Sequence, residues 1–127
     1  LGSAENLPFE DNSFDNVFCS FVWRNVSDTN NALNEVYRVL KPGGKFILLD
    51  MTRPKNSFLR MLHKIGTFKV LHLIGLITFN LKEYRFLYKS LDFYPQPEEH
   101  LNKDNFIDLK IERMGVFNFV YLAVFTK

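Results

Sequence analysis

Behind the turn cluster Asp11-Asn12-Ser13, the run Phe14-Asp15-Asn16-Val17-Phe18-Cys19-Ser20-Phe21-Val22 is near-continuously apolar and of strand length. Such a run predicts a strand covered on both faces, as in a parallel sheet between helices. Ser27, Asp28 and Thr29 each suit a helix N-cap, and Ala32, Leu33, Val36, Tyr37 and Leu40 then recur at three- and four-residue steps. That spacing predicts an amphipathic helix running through Leu40, with Asn34, Glu35 and Arg38 turned outward. Lys41 complements the negative end of the helix, Pro42 cannot extend it, and Gly43 and Gly44 offer positive φ for a tight exit. A second strand follows over 45–50.

Strand, helix, glycine turn and strand make a right-handed crossover, so the two strands are predicted parallel with their carboxyl ends on one edge. Ligands of open α/β sheets bind beyond those ends. The rule singles out Ser20 to Asn25 after the first strand and Asp50 to Arg53 after the second.

The pattern then changes. From Met51 to Lys82 there is no Asp or Glu, whereas Arg53, Lys55, Arg60, Lys64, Lys69 and Lys82 are all basic. Between them a long apolar periodicity, Phe58 to Phe79, predicts a helical segment broken or bent near Gly66 and Gly75. It is too short of uninterrupted apolar residues to cross a bilayer, which takes about 20. A basic, acid-free amphipathic segment suits either an anionic membrane surface or a helical cap with solvated lysines. Tyr84 to Tyr94 predicts a further helix ending at Pro95-Gln96-Pro97, and 98–105 about two turns more. At the end, Asp108 to Glu112 alternates, Met114-Gly115 can turn, and Phe117 to Phe125 is aromatic and β-branched, which predicts a terminal antiparallel hairpin.

Composition narrows the classes. At 127 residues, 46% apolar and 24% charged, with Gly 6 and Pro 5, the chain has the make-up and size of one globular domain. Phe is frequent, at 14, which suits a core or a pocket for an apolar ligand. The net charge of +2, without a basic stripe interleaved with aromatics, argues against nucleic acid. One cysteine, Cys19, permits no internal disulfide and fits a reducing cytoplasm. No secretory signal opens the chain, and the missing initiator Met points to processing or truncation. His63, His72 and His100 stand at no metal-ligand spacing, so no metal is expected.

Several blocks carry a resemblance. Leu1 to Asp15, Ser20-Phe21-Val22-Trp23-Arg24-Asn25-Val26, Tyr37 to Gly44, Asp50-Met51-Thr52-Arg53-Pro54 and Tyr84-Arg85-Phe86-Leu87 with Ser90 together resemble the ubiquinone and menaquinone C-methyltransferases, S-adenosylmethionine-dependent enzymes of class I. Val22 and Trp23 depart from that pattern, and Ser3 stands where Asp or Asn is usual. The resemblance covers nearly the whole chain and implies an α/β, Rossmann-like methyltransferase sheet. Residues 1–127 would be the C-terminal half of one such domain, with a helical cap insertion at 51–97 and the terminal hairpin.

The resemblance further implies S-adenosylmethionine as cofactor, with Ser3 and Ala4 along its adenine and Ser20 touching it. The Gly-x-Gly-x-x-Gly loop that cradles the methionine in such folds is not in this sequence. The implied acceptor is an apolar small molecule, a prenylated quinol methylated on a ring carbon. Arg24 is expected to steer or stabilise its phenolate or, alternatively, to form a structural ion pair. Trp23, Asn25 and Tyr84 are expected at the substrate mouth, with core packing the other reading of Trp23 and Tyr84. Expected partners are that acceptor, a peripheral membrane contact, and a second copy or an N-terminal half in trans along the sheet's exposed edge. Three alternatives remain: another lipid or small-molecule acceptor, a non-catalytic lipid-surface module, and nicotinamide-dependent oxidoreduction.

Overall fold

The computed structural model describes residues 2–101 and 105–127. Its centre is a mixed four-stranded sheet in the order β1-β2-β4-β3, formed by β1 (Phe14–Ser20), β2 (Leu40–Met51), β3 (Asp108–Met114) and β4 (Val120–Thr126). β1 and β2 run parallel, with Val17 opposite Phe46 and Ser20 opposite Leu49. The helix between them, α1 (Thr29–Val39), is capped by the Asp28 carboxylate, which accepts from Asn31 N–H at 3.0 Å. The last carbonyls of that segment are also met, because Lys127 Nζ donates to Tyr37 O and Leu40 O at 2.7 and 2.6 Å.

Alternation along β2 and β4 sends Phe46, Leu48 and Asp50 and Tyr121, Ala123 and Phe125 to one face, where all are buried. Ala32, Leu33 and Val36 of α1 cover that face together with Trp23, Leu101 and Phe106. Phe46 and Phe125 lie 5.5 Å apart between ring centroids, and Phe106 is 5.0 Å from Phe125. The antiparallel hairpin β3–β4 is present as its alternation predicts.

Four sequence expectations need correction. β1 is not covered on both faces: it is an edge strand, and Phe18 on its outer side is 71% exposed. The apolar run reflected one packed face plus residues, Phe18, Phe21 and Val22, that are left exposed. Only Gly43 takes the positive φ of the turn, at 79°; Gly44 is needed instead because a Cβ there would stand 2.8 Å from Lys41 O and 2.9 Å from Asp15 O. α2 (Ser57–Ile77) is one unbroken helix, because the roughly 1 kcal/mol that Gly66 costs in an exposed helix interior does not break it and Gly75 serves a close helix contact. The expected helix over 98–105 is reduced to one turn, α4 (Pro97–His100), and 102–104 lie outside the described residues.

α2 and α3 (Leu81–Phe93) form an antiparallel pair beyond the carboxyl end of β2. α2 closes with a Schellman turn: Asn80 N–H donates to Gly75 O at 3.0 Å and Phe79 N–H to Leu76 O at 3.4 Å, with Phe79 at φ 56°. Among the described residues no helix is long and apolar enough to cross a membrane.

Candidate active site at the carboxyl ends of the parallel strands

The chain leaves β1 through Phe21, held at φ 57° with its N–H bonded to Leu49 O at 2.8 Å, and enters a single 3-10 turn, Trp23–Asn25. A non-glycine residue in the left-handed region costs energy, and such strain gathers at functional turns. The turn brings Arg24 against Asp50, the last inward-facing residue of β2. Asp50 is fully buried and accepts from the Arg24 guanidinium at Nη1, from Arg24 N–H at 3.2 Å and from Met51 N–H at 2.7 Å. Arg24 is itself nearly buried, at 7% side-chain exposure, and its Nε and Nη2 have no partner among the described residues. The β1–β2 crossover thus juxtaposes the two loop regions that the sequence singled out.

Around this pair is a shell of buried polar atoms without partners among the described residues: the hydroxyls of Tyr94, Tyr121 and Thr52, His100 Nε2 and Trp23 Nε1. Tyr121 is the cross-strand neighbour of Asp50. Burial first, and the Asp50 charge second, push both the Tyr94 and Tyr121 phenols up, which keeps them protonated donors. Burial and Asp50 raise the Cys19 thiol in the same way. His100 is pushed down by burial, and its Nδ1 donates to Gln96 O at 2.8 Å, 4.6 Å between ring centroids from Tyr94.

Tyr94 and Tyr121 carried no signal in the sequence. Their position depends on the β2–β4 register and on the exit from α3, neither of which local spacing encodes.

The remaining expected site residues are scattered more widely. Ser20 is exposed at the end of β1, and its hydroxyl has no partner among the described residues. Ser3 and Ala4 are exposed in the N-terminal turn, where Ser3 Oγ accepts from Glu5 N–H at 3.2 Å. Asn25 is exposed beside Arg24. Trp23 takes the core alternative: it is 1% exposed and packs on Phe46 at 5.4 Å, where it anchors the turn that carries Arg24. Tyr84 is not brought to that turn, and lines a separate cavity between α2 and α3. The exposed Ser20 hydroxyl at a strand's carboxyl end fits one rim of an S-adenosylmethionine site, because a polar group there can meet a ligand lying over the sheet edge.

A second buried network fixes the helical pair to the sheet. Arg53, 3% exposed, donates from Nε to Asp92 at 2.9 Å and from Nη1 to Thr67 Oγ1 at 2.8 Å and His63 Nδ1 at 3.2 Å. Its guanidinium also lies over the Tyr88 ring, 5.0 Å from the centroid. Burial and the Arg53 charge lower the pKa of His63, consistent with a neutral ring accepting at Nδ1.

The chain matches the family model described as the ubiE/COQ5 methyltransferase family over residues 1–115. It belongs to that family. It is 48% identical over 100 residues to the ubiquinone/menaquinone biosynthesis C-methyltransferase UbiE of Rickettsia bellii (strain OSU 85-389), and 45% identical to that of Rickettsia felis (strain ATCC VR-1525 / URRWXCal2). Each alignment takes in 78% of this chain and 40% of the relative, so the chain spans well under half the length of these relatives.

Among solved structures, a SAM-dependent methyltransferase from Thermotoga maritima superposes with TM-score 0.64 at 23% identity, covering 99% of this chain and 62% of that one. The MccD protein superposes with TM-score 0.56 at 17% identity, covering 99% and 65%. At these identities the likeness is one of fold, and the fold is the Rossmann-like α/β methyltransferase sheet.

Proposed function

We propose that this chain forms the acceptor side of an S-adenosylmethionine-dependent methyltransferase site whose substrate is a prenylated quinol, methylated on a ring carbon. The observation that carries this reading is the buried Arg24–Asp50 pair, set where the carboxyl ends of β1 and β2 meet, with the Tyr94 and Tyr121 phenols near it lacking partners among the described residues. S-adenosylmethionine, when bound, supplies a methyl carbon made electrophilic by the positive sulfur. Ser20, with Ser3 and Ala4, contributes to the rim that holds it. Arg24 orients the acceptor and stabilises its phenolate through the guanidinium N–H groups that Asp50 leaves free, and Asn25 is the adjacent exposed amide for the same acceptor. Holding the two reactants in line and excluding water is most of what such a transfer requires.

The reading places the protein in the cytoplasm. There, further strands supplied by the N-terminal part of the same protein, by that part in trans or by a second copy would cover the β1 edge. The test is calorimetric titration of folded chain with S-adenosylmethionine, followed by methyl incorporation into a short-chain prenyl hydroquinone. A Kd tighter than about 1 mM, or roughly −4 kcal/mol, supports a usable cofactor rim. Binding that is unchanged in Ser20→Ala, or methylation that is unchanged in Arg24→Met, removes the roles assigned to those residues.

A second reading, peripheral contact with an anionic membrane, is favoured by α2 and its tip. Phe58, Phe68, Val70, Leu73, Leu76 and Ile77 are each at least half exposed, and Phe79 is 94% exposed in a strained left-handed conformation. Apolar exposure on this scale beside an acid-free basic segment suits a lipid interface. Phe79→Gly should bind phosphatidylglycerol-containing vesicles more weakly than the parent chain. Equal binding counts against this reading.

A further inference from the structure

Between α2 and α3 lies a cavity of about 130 Å³ that the methyl-transfer reading does not use. Its walls are apolar, with Phe68 and Leu71 from α2 facing Leu81 from α3, while His72, Arg85 and Lys89 line its mouth. No acidic residue lines it.

Close contacts between the two helices frame the cavity. Beside Leu81, which lines it, the helices approach so tightly that a Cβ on Gly75 would stand 3.1 Å from Leu81 Cα. Along its side, Tyr88 is fixed between the Arg53 guanidinium, 5.0 Å from its ring centroid, and the Phe68 ring at 5.5 Å. Arg85 and Lys89 sit one turn apart on α3, are exposed, and form no ion pair among the described residues. Two uncommitted cations at the mouth of an apolar slot match a molecule with a hydrocarbon chain and an anionic head. Leu81, which lines the cavity, is two residues from Phe79, the exposed tip of the same helix pair, so a lipid chain can arrive from a membrane surface.

We propose that this cavity is a binding site for one anionic phospholipid, with an acyl chain between Phe68, Leu71 and Leu81 and the headgroup phosphate on Arg85 and Lys89. The proposal rests on the membrane-contact reading and adds to it a stoichiometric site.

The test uses dioctanoyl phosphatidylglycerol below its micelle concentration, titrated calorimetrically into the folded chain, with dioctanoyl phosphatidylcholine and octanoate in parallel. The parent chain should take up one equivalent of the anionic lipid. Arg85→Glu/Lys89→Glu should weaken that binding by about tenfold or more, whereas Lys45→Glu/Lys110→Glu, an equal charge change on the sheet, should alter it by less than about threefold. Leu71→Trp, which fills the slot, should also abolish saturation while leaving binding to phosphatidylglycerol vesicles in place.

Equal losses in the two charge-reversed pairs, equal affinity for the phosphatidylcholine or for octanoate, or no saturable uptake by folded protein would overturn the site. If vesicle binding persists without uptake of the soluble lipid, the site falls and membrane contact stands. If vesicle binding is absent too, both fall.

Discussion

Asp50 accepts hydrogen bonds from both the backbone N–H and the guanidinium of Arg24, across the junction of two parallel strands, and is fully buried while doing so. A buried pair of this kind gains little over an apolar replacement of both partners, but removing one partner strands the other charge. Asp50→Ala should therefore cost about 3–5 kcal/mol in chemical denaturation, and Arg24→Met/Asp50→Ala less than the sum of the two single changes. Strictly additive losses would mean that the pair is not coupled.

The two glycines of α2 should respond oppositely to the same change. Nothing lies within 4 Å of a Cβ built on Gly66, so Gly66→Ala should stabilise by about 0.5–1 kcal/mol through helix propensity. At Gly75 the added methyl meets Leu81 at 3.1 Å, and the overpacking should outweigh the propensity gain, for a net loss of about 1 kcal/mol. Thermal melts of the two variants decide it, and a gain at Gly75 would show that α3 yields easily.

Phe79 occupies the position of a Schellman turn that glycine usually fills. Because its ring is 94% exposed, Phe79→Gly loses almost no packing, removes the left-handed strain, and should raise stability by about 1 kcal/mol. An unchanged or lower melting temperature would show that the strain is absorbed elsewhere.

Acid should destabilise the fold in two windows. His63 and His100 have pKa values below the ordinary 6.5, so the unfolded chain binds more protons and stability falls as pH drops from about that value. Glu35, bonded by Arg38 and Leu7 N–H, and Glu98, bonded by Arg113 and Lys55, are each lowered from 4.5 to about 2. Their contribution is fully present above pH 4.5 and is lost as pH falls toward 2. Melting temperature against pH should flatten in the lower window for Glu35→Gln/Glu98→Gln and in the upper one for His63→Gln.

β1 and β3 are both edges, but they differ in protection. β3 presents Asp108, Lys110, Glu112 and Arg113, whereas β1 presents an exposed Phe18. The chain should self-associate with rising concentration, and Phe18→Lys should suppress it in light scattering. A monodisperse parent chain would remove the β1 edge as a contact surface.

Much of this architecture was legible along the chain. The helix cap within Ser27–Thr29, the stripe from Ala32 to Tyr37 and the alternation of Asp108 to Glu112 are local signals that sterics translate directly into helix or strand, whereas the helix end at Val39 and the start of β2 at Leu40 were not read from them. The nomination of Ser20–Asn25 and Asp50–Arg53 followed from the crossover alone, and it was enough to find both members of the Arg24–Asp50 pair. What stayed hidden depends on partners distant in sequence. Tyr121 reaches Asp50 only through the β2–β4 register, Arg53 finds His63, Asp92 and Tyr88 only once α2 and α3 fold back together, and Trp23 became core because Phe46 lay beneath it.

By itself the sequence determined most of the elements, their order and the strand ends where a ligand can sit, because these follow from side-chain period and backbone sterics within a few residues. The tertiary structure decided which faces are buried, which charges are paired and where a cavity opens. Those depend on burial, which removes water from groups that only the folded chain brings together.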